Sequence, residues 1–170
     1  MIKPGTPAPI FDLPLVGGGR WCLADQAPEA FTLIVFYRGL HCPVCRGYLQ
    51  QLDRMLDDFA EAGVTAVVAV STDEQQRAEE TAESWQLSRL QIAYGQTIEG
   101  AREWGLFISK GRTAAEPEQF AEPGLFLIRP DTTLYAGVIN TMPFARPRLD
   151  DVLAAVRYVR AHDYPARGEA

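Results

Sequence analysis

Hydrophobic positions fall along this chain in blocks of two different periods. Phe31 to Tyr37, FTLIVFY, is a continuous apolar run rich in β-branched and aromatic residues. That is the pattern of a strand buried on both faces. Val64 to Val70, VTAVVAV, reads the same way. Between the two runs the period changes. Cys45, Leu49, Leu52, Met55, Leu56 and Phe59 recur at helical spacing, which predicts one amphipathic helix over Pro43 to Ala62 with a single core-facing stripe. Gly63 follows as its C-cap. Downstream, Ser71-Thr72-Asp73 precedes a polar helix over Glu74 to Trp85, with Thr72 and Gln75 spaced as a capping box. Leu90 to Ala93 reads as a short strand and Thr97 to Trp104 as a short helix.

Ile108 to Glu122 is polar and carries Lys110-Gly111-Arg112. It reads as a loop, long enough to belong near a site. Leu125 to Ile128 is a strand, Pro130-Asp131 a turn, and Thr133 to Ile139 its hairpin partner. The last helix, Leu149 to Ala161, carries a stripe of Leu149, Val152, Leu153, Val156 and Val159. At the other end, residues 1–9 are proline-rich and extended. Ile10 to Leu13 and Arg20 to Leu23 flank Gly17-Gly18-Gly19 and predict a hairpin. Buried strands separated by helices demand an α/β fold: a central mixed β-sheet flanked by helices on both faces, with an N-terminal β-hairpin extension. The pattern leaves the strand order open.

Composition narrows this picture. At 170 residues, 47% hydrophobic and 22% charged, the chain fits one globular domain spanning 1–170, with 163–170 as a tail. A net charge of −6 argues against nucleic acid or anionic membrane as a partner. MIKPGTPAPIF lacks the apolar core of a secretory signal, and no apolar run approaches transmembrane length. A cytoplasmic location is therefore the expectation. In that compartment a disulfide is transient and catalytic more often than structural.

The candidate chemistry sits between the first strand and the first helix, in Cys42-Pro43-Val44-Cys45. Pro43 suits the first helical position, where its missing N–H is not needed. Cys42 then becomes the N-cap and Cys45 lies one turn in, beside unpaired N–H groups and the positive end of the helix dipole. Free cysteine has a pKa of about 8.5, lowered at helix N-termini and in Cys-x-x-Cys pairs. Cysteines three apart on a first turn can close a disulfide with little backbone movement. Zinc wants four ligands; beyond the pair only Cys22, His41 and His162 remain and no second Cys-x-x-Cys exists, so half of a zinc site is the lesser reading and no metal or other cofactor is expected. Two inert core cysteines remain a possible reading of the pair. Cys22, in the second arm of the hairpin, reads as a small buried hydrophobe, with a distant resolving thiol as the lesser alternative.

At these residues the chain resembles the thioredoxin-fold superfamily, and within it the peroxiredoxin-like alkyl hydroperoxide reductase/thiol-specific antioxidant family. Gly5 to Leu13 resembles the family's opening segment, LIVFYRGLHCPVC its active-site strand and loop, and GLFLIRPDTTLYAG its later hairpin. The resemblance implies a thioredoxin-like fold, antioxidant thiol chemistry without a cofactor, and a homodimer as one expectation. The family's loop reads Pro-x-x-x-Thr-x-x-Cys; here Arg38 stands at the Pro, Cys42 at the Thr and Cys45 at the peroxide-attacking Cys. The family's polarising arginine is replaced by Pro123. A proline there resembles the cis-Pro that faces the Cys-x-x-Cys in thioredoxins and glutaredoxins, although only about 5–6% of X–Pro bonds in folded proteins are cis. The buried aspartate of thioredoxin corresponds to Phe36.

Three functions follow from these residues. In the first, Cys42, exposed at the helix tip, attacks a protein or small-molecule disulfide, Cys45 resolves it, and Pro123 holds the substrate. A cellular thiol of thioredoxin or glutathione type then reduces the pair. In the second, a peroxide oxidises Cys45 and Cys42 condenses with the sulfenate. Arg38, Arg46 and Arg146 are then the candidate donors to the departing oxygen, and His41 a neighbour that stabilises the Cys42 thiolate. In the third, the pair is a non-catalytic redox sensor or binding module, with Thr141 to Pro147 as a docking surface. The proline at position 123 ranks disulfide exchange first.

Overall fold

The computed structural model describes residues 2–170. Its centre is a five-stranded mixed sheet. In chain order its strands are β3 (Thr32–Phe36), β4 (Ala66–Val70), β5 (Gln91–Ala93), β8 (Gly124–Ile128) and β9 (Leu134–Ile139). Their spatial order is β5-β4-β3-β8-β9. β3 pairs with β4, and β4 with β5, in parallel; β8 runs antiparallel to both β3 and β9. β3 is therefore the middle strand, which explains its unbroken apolar run: both faces and both edges are covered.

The two faces sort by alternation along β3. Leu33 and Val35 point to one side, where they meet Leu49, Leu52, Phe59, Val156 and neighbours. That side is covered by α1 (Pro43–Arg54), α2 (Leu56–Glu61), α3 (Gln75–Ser84) and α5 (Leu149–His162). Ile34 and Phe36 point to the other side, against Phe126, Trp104, Phe11 and Trp21. There α4 (Ile98–Glu103) and the N-terminal hairpin, β1 (Asp12–Pro14) with β2 (Arg20–Cys22), close the second core. Edge-on ring contacts such as Phe36 to Phe126, at 5.7 Å, knit this core together. The expected mixed sheet with helices on both faces and an N-terminal hairpin is what the fold contains.

Three local expectations are corrected. The helix read as continuous over Pro43 to Ala62 breaks at Met55, whose ψ of 3° ends α1 and starts α2. The buried Asp53 sits just before the break, accepting from the backbone N–H groups of Arg89 and Leu90 at 2.9 and 2.7 Å. Gly63 does end the second segment, at φ +86°, where an added Cβ would lie 2.9 Å from Arg160. The capping box at Thr72 and Gln75 does not form. Glu74 is the N-cap of α3 with no side-chain cap bond, and Ser71 Oγ accepts from the Asp73 N–H instead. Asp73 has been drawn off towards the active-site loop. Finally, Ile108 to Glu122 is not all loop: β6 (Ile108–Lys110) and β7 (Gln119–Ala121) pair as an antiparallel hairpin.

Candidate active site

The site is built where β3 ends and α1 begins. Arg38, Gly39 and Leu40 carry the chain from the sheet to the helix. Gly39 has φ +127°, and a Cβ there would lie 2.6 Å from Asp73 Oδ2, so the turn needs glycine. The same carboxylate accepts from the Leu40 N–H at 2.8 Å, while its other oxygen takes Arg77 Nε at 2.9 Å. Asp73 thus clamps the turn from the end of β4, a role the sequence did not reveal.

Cys42 is the N-cap of α1, Pro43 lies at the first turn, and Cys42 and Cys45 form a disulfide with Cα atoms 5.2 Å apart. Cys42 Sγ accepts from the Cys45 N–H at 3.2 Å, the contact by which a helix start favours sulfur charge. Both sulfurs face the core. Cys42 is 1% exposed and Cys45 0%. The expectation of an exposed Cys42 is therefore corrected: the disulfide turns it inward among Tyr37, Leu49 and their neighbours.

Arg146 reaches the pair from the loop between β9 and α5, 101 residues along the chain. Its Nη2 donates to Cys45 Sγ at 2.7 Å. Two features aim it. Ala145 takes a left-handed conformation, φ +56°, with its carbonyl held by the Asn140 side chain at 3.1 Å. The guanidinium then lies over the Tyr48 ring, 5.0 Å from its centroid, and Tyr48 Oη donates to the Pro147 carbonyl at 2.8 Å. Burial pushes the Tyr48 hydroxyl up to about 12, opposed by the nearby Arg146 charge, so it remains a donor. Burial lowers Arg146 to about 10, which leaves it cationic at neutral pH. Among the described residues its Nε and Nη1 have no hydrogen-bond partner. A groove of about 500 Å³ runs past Arg146 between Val44, Tyr48, Phe144 and Pro147.

The remaining expected residues divide. Arg38 lies beside the site but is committed elsewhere. Its Nε is 3.4 Å from Glu122 Oε2, its Nη2 3.8 Å from Glu116, and its guanidinium lies over Phe120 at 4.6 Å. His41 packs edge-on to Phe120 at 4.7 Å. Desolvation lowers its pKa, reinforced by the Arg38 cation and opposed by Asp73 and Glu116, so it is neutral at pH 7 and supplies no positive charge to a Cys42 thiolate. Arg46 points outward and is exposed. Pro123 is buried and trans, since no peptide bond among the described residues is cis. The expected cis-Pro is corrected: Pro123 links β7 directly to β8, its carbonyl accepting from the Asn140 N–H at 2.9 Å. It braces the loop that carries Arg146.

Glu122, which the sequence reading left in a loop, is 3% exposed and accepts from Ser109 Oγ at 2.6 Å. Cys22 is a free, half-buried thiol. Among the described residues no cluster of His, Cys, Asp and Glu is arranged to hold a metal ion, and no helix is long and apolar enough to cross a membrane.

No curated protein matches this sequence. Solved structures match its fold over nearly the whole chain. A peroxidoxin, BcpB of Mycobacterium tuberculosis, superposes with a TM-score of 0.75 at 20% identity, covering 94% of this chain and 99% of that one. Peroxiredoxin 6 of Arenicola marina gives 0.79 at 19%, covering 95% and 76%. AhpC of Enterococcus faecalis gives 0.75 at 19%, covering 96% and 98%. The fold is thus the thioredoxin-like fold of peroxiredoxins. The AhpC/TSA family matches residues 4–136, a span that contains both cysteines of the pair. A redox-capable cysteine pair at the tip of α1, in this fold and with this match, identifies a thiol-dependent oxidoreductase, and the chain belongs to the AhpC/TSA family.

Proposed function

We propose that the protein is a thiol peroxidase in which Cys45 attacks peroxide and Cys42 resolves the product. The observation that carries this reading is the Arg146 guanidinium, 2.7 Å from Cys45 Sγ. A cation in contact with a thiol favours its thiolate. The thiolate attacks one peroxide oxygen, the O–O bond breaks, and the electron pair leaves with the second oxygen as an alkoxide or hydroxide that takes a proton. Cys45 becomes the sulfenic acid. Arg146 Nε and Nη1 have no hydrogen-bond partner among the described residues, and in this reading they are the donors that stabilise the departing oxygen. One well-aimed donor of this kind contributes about 10²–10³ in rate. Cys42 then attacks the sulfenate sulfur, water leaves, and the Cys42–Cys45 disulfide forms. Two equivalents of a cellular thiol restore the dithiol and depart as their disulfide.

The lack of an arginine at position 123 ranked disulfide exchange first in the sequence. Arg146 supplies that missing cation from another part of the chain. The burial of both sulfurs, Cys42 at 1% and Cys45 at 0% exposed, also supports the smaller oxidant, because a peroxide needs less room than a folded protein's disulfide to reach either one. Disulfide exchange retains one favourable observation, the N–H donor on Cys42 Sγ.

The test compares wild type with Cys42→Ser and Cys45→Ser, each assayed for peroxide consumption and for reduction of a protein disulfide. Peroxide turnover lost with Cys45→Ser, and reduced to one equivalent with Cys42→Ser, supports the peroxidase. Full peroxide turnover in Cys45→Ser refutes it. So does an enzyme that reduces disulfides through Cys42 and leaves peroxide intact.

A further inference from the structure

One guanidinium touches the cysteine pair, and a second, together with a buried carboxylate, lies near enough to act on its charge. Arg146 touches Cys45 Sγ at 2.7 Å. Arg38, at the end of β3, is held by Glu122 at 3.4 Å. Glu122 is 3% exposed, is fixed by the Ser109 hydroxyl at 2.6 Å, and has no hydrogen-bond partner on Oε2 among the described residues. Charges in so dry a site are poorly screened and act over several ångströms. Of the other groups facing this cluster, only Glu116 adds an unpaired charge, as a second and more exposed carboxylate on Arg38. Asp73 is paired with Arg77, Glu116 lies near Arg38, Tyr48 stays protonated and His41 is neutral. Glu122 is therefore the buried negative charge that opposes the two arginines, and a glutamine of the same shape would keep the Ser109 contact while removing that charge.

We infer that Glu122 is a positioning residue that sets the redox poise of the Cys42/Cys45 pair, by holding Arg38 and offsetting part of the positive field at Cys45. The consequence has a sign. With Glu122 present, the Cys45 thiolate is less stabilised than two unopposed guanidinium groups would make it. The disulfide is then less oxidising, because stabilising the thiolate stabilises the reduced form. Removing the negative charge lowers the thiol pKa and raises the potential. Removing Arg38 does the reverse, since it takes away a cation and leaves Glu122 opposed by Arg146 alone.

The inference rests on Cys45 being redox-active and not on which oxidant it meets. Its readouts use no peroxide, so they fail or succeed apart from the peroxidase assay. Thiolate absorbance is titrated in a Cys22→Ser/Cys42→Ser background, where Cys45 is the sole thiol. The potential is measured in Cys22→Ser by equilibration with glutathione, in which the protein disulfide plus two glutathiones gives the dithiol plus glutathione disulfide. Glu122→Gln is expected to lower the Cys45 pKa by about one unit. It shifts the glutathione equilibrium about tenfold towards the dithiol, which is about 30 mV. Glu122→Asp, which keeps the charge, stays near wild type. Arg38→Met moves both readouts the opposite way, and carries the test if the glutamine variant fails to fold. An unchanged or raised pKa in Glu122→Gln, or an aspartate variant that shifts as far as the glutamine one, overturns the inference. So does Arg38→Met moving in the same direction as Glu122→Gln.

Discussion

The two sulfurs of the disulfide lie three residues apart on one helical turn, yet they are held by different parts of the protein. Cys42 is held by local backbone. It caps α1, takes the Cys45 N–H at 3.2 Å, and follows a turn clamped by Asp73. Cys45 is held by distant side chains. Arg146 comes from the far end of the chain to meet its sulfur, seated on Tyr48 and aimed by a left-handed Ala145. A helix start alone favours either thiolate modestly. A guanidinium in contact favours one of them, and also offers donors for a departing oxygen. On the proposed mechanism the contrast matches different work for the two cysteines: Cys45 attacks and Cys42 stands close by to resolve.

The largest expected effect comes from removing the distant support. Arg146→Met keeps much of the stem packed over Tyr48 but removes the charge, and should cost about 10²–10³ in the second-order rate with peroxide. The fold, read by thermal melting, should survive. If peroxide reactivity is unchanged, the Cys45 side is no different from the Cys42 side and the contrast collapses.

Next comes the local support. Gly39→Ala forces a Cβ to 2.6 Å from Asp73 Oδ2 at φ +127°. Backbone strain of this kind costs about 1–3 kcal/mol. The melting temperature should fall by several degrees, with disulfide formation slowed because the turn before Cys42 has shifted. An alanine variant as stable as wild type would show that the clamp does not matter.

The smallest effect concerns His41. Its folded pKa lies below the unfolded value of about 6.5. The unfolded chain therefore binds more protons at mildly acidic pH, and stability falls as pH drops through about 6.5. Denaturant titrations between neutral and mildly acidic pH should show a shallower decline in His41→Asn than in wild type. An equal slope would place His41 outside the polar cluster next to the pair.

Legibility in the sequence follows the same division. Local features were readable because their causes are local: the apolar run of β3, the proline that starts α1, and the placement of both cysteines on its first turn. The break at Met55 was hidden because the apolar stripe continues through it, while its neighbour Asp53 serves the backbone of Arg89 and Leu90. The β6–β7 hairpin escaped because each strand has three residues, too few to show a period. Arg146 was one of three arginines that residue type alone could not separate. Only the fold brings it across 101 residues, and only a positive φ at Ala145 turns it inward. Glu122 was unreadable for the same reason, since its burial depends on a hairpin that left no pattern.

The central claim is that Cys45, under Arg146, is the sulfur that peroxide oxidises. The direct measurement is mass spectrometry of the reduced Cys22→Ser chain, given one equivalent of peroxide with a sulfenate-trapping reagent, in Cys42→Ser and Cys45→Ser backgrounds in turn. The account predicts a trapped sulfenate on Cys45 in the first background, and none on Cys42 in the second. A sulfenate that forms on Cys42 when Cys45 is absent, at a rate equal to that of Cys45, would contradict it.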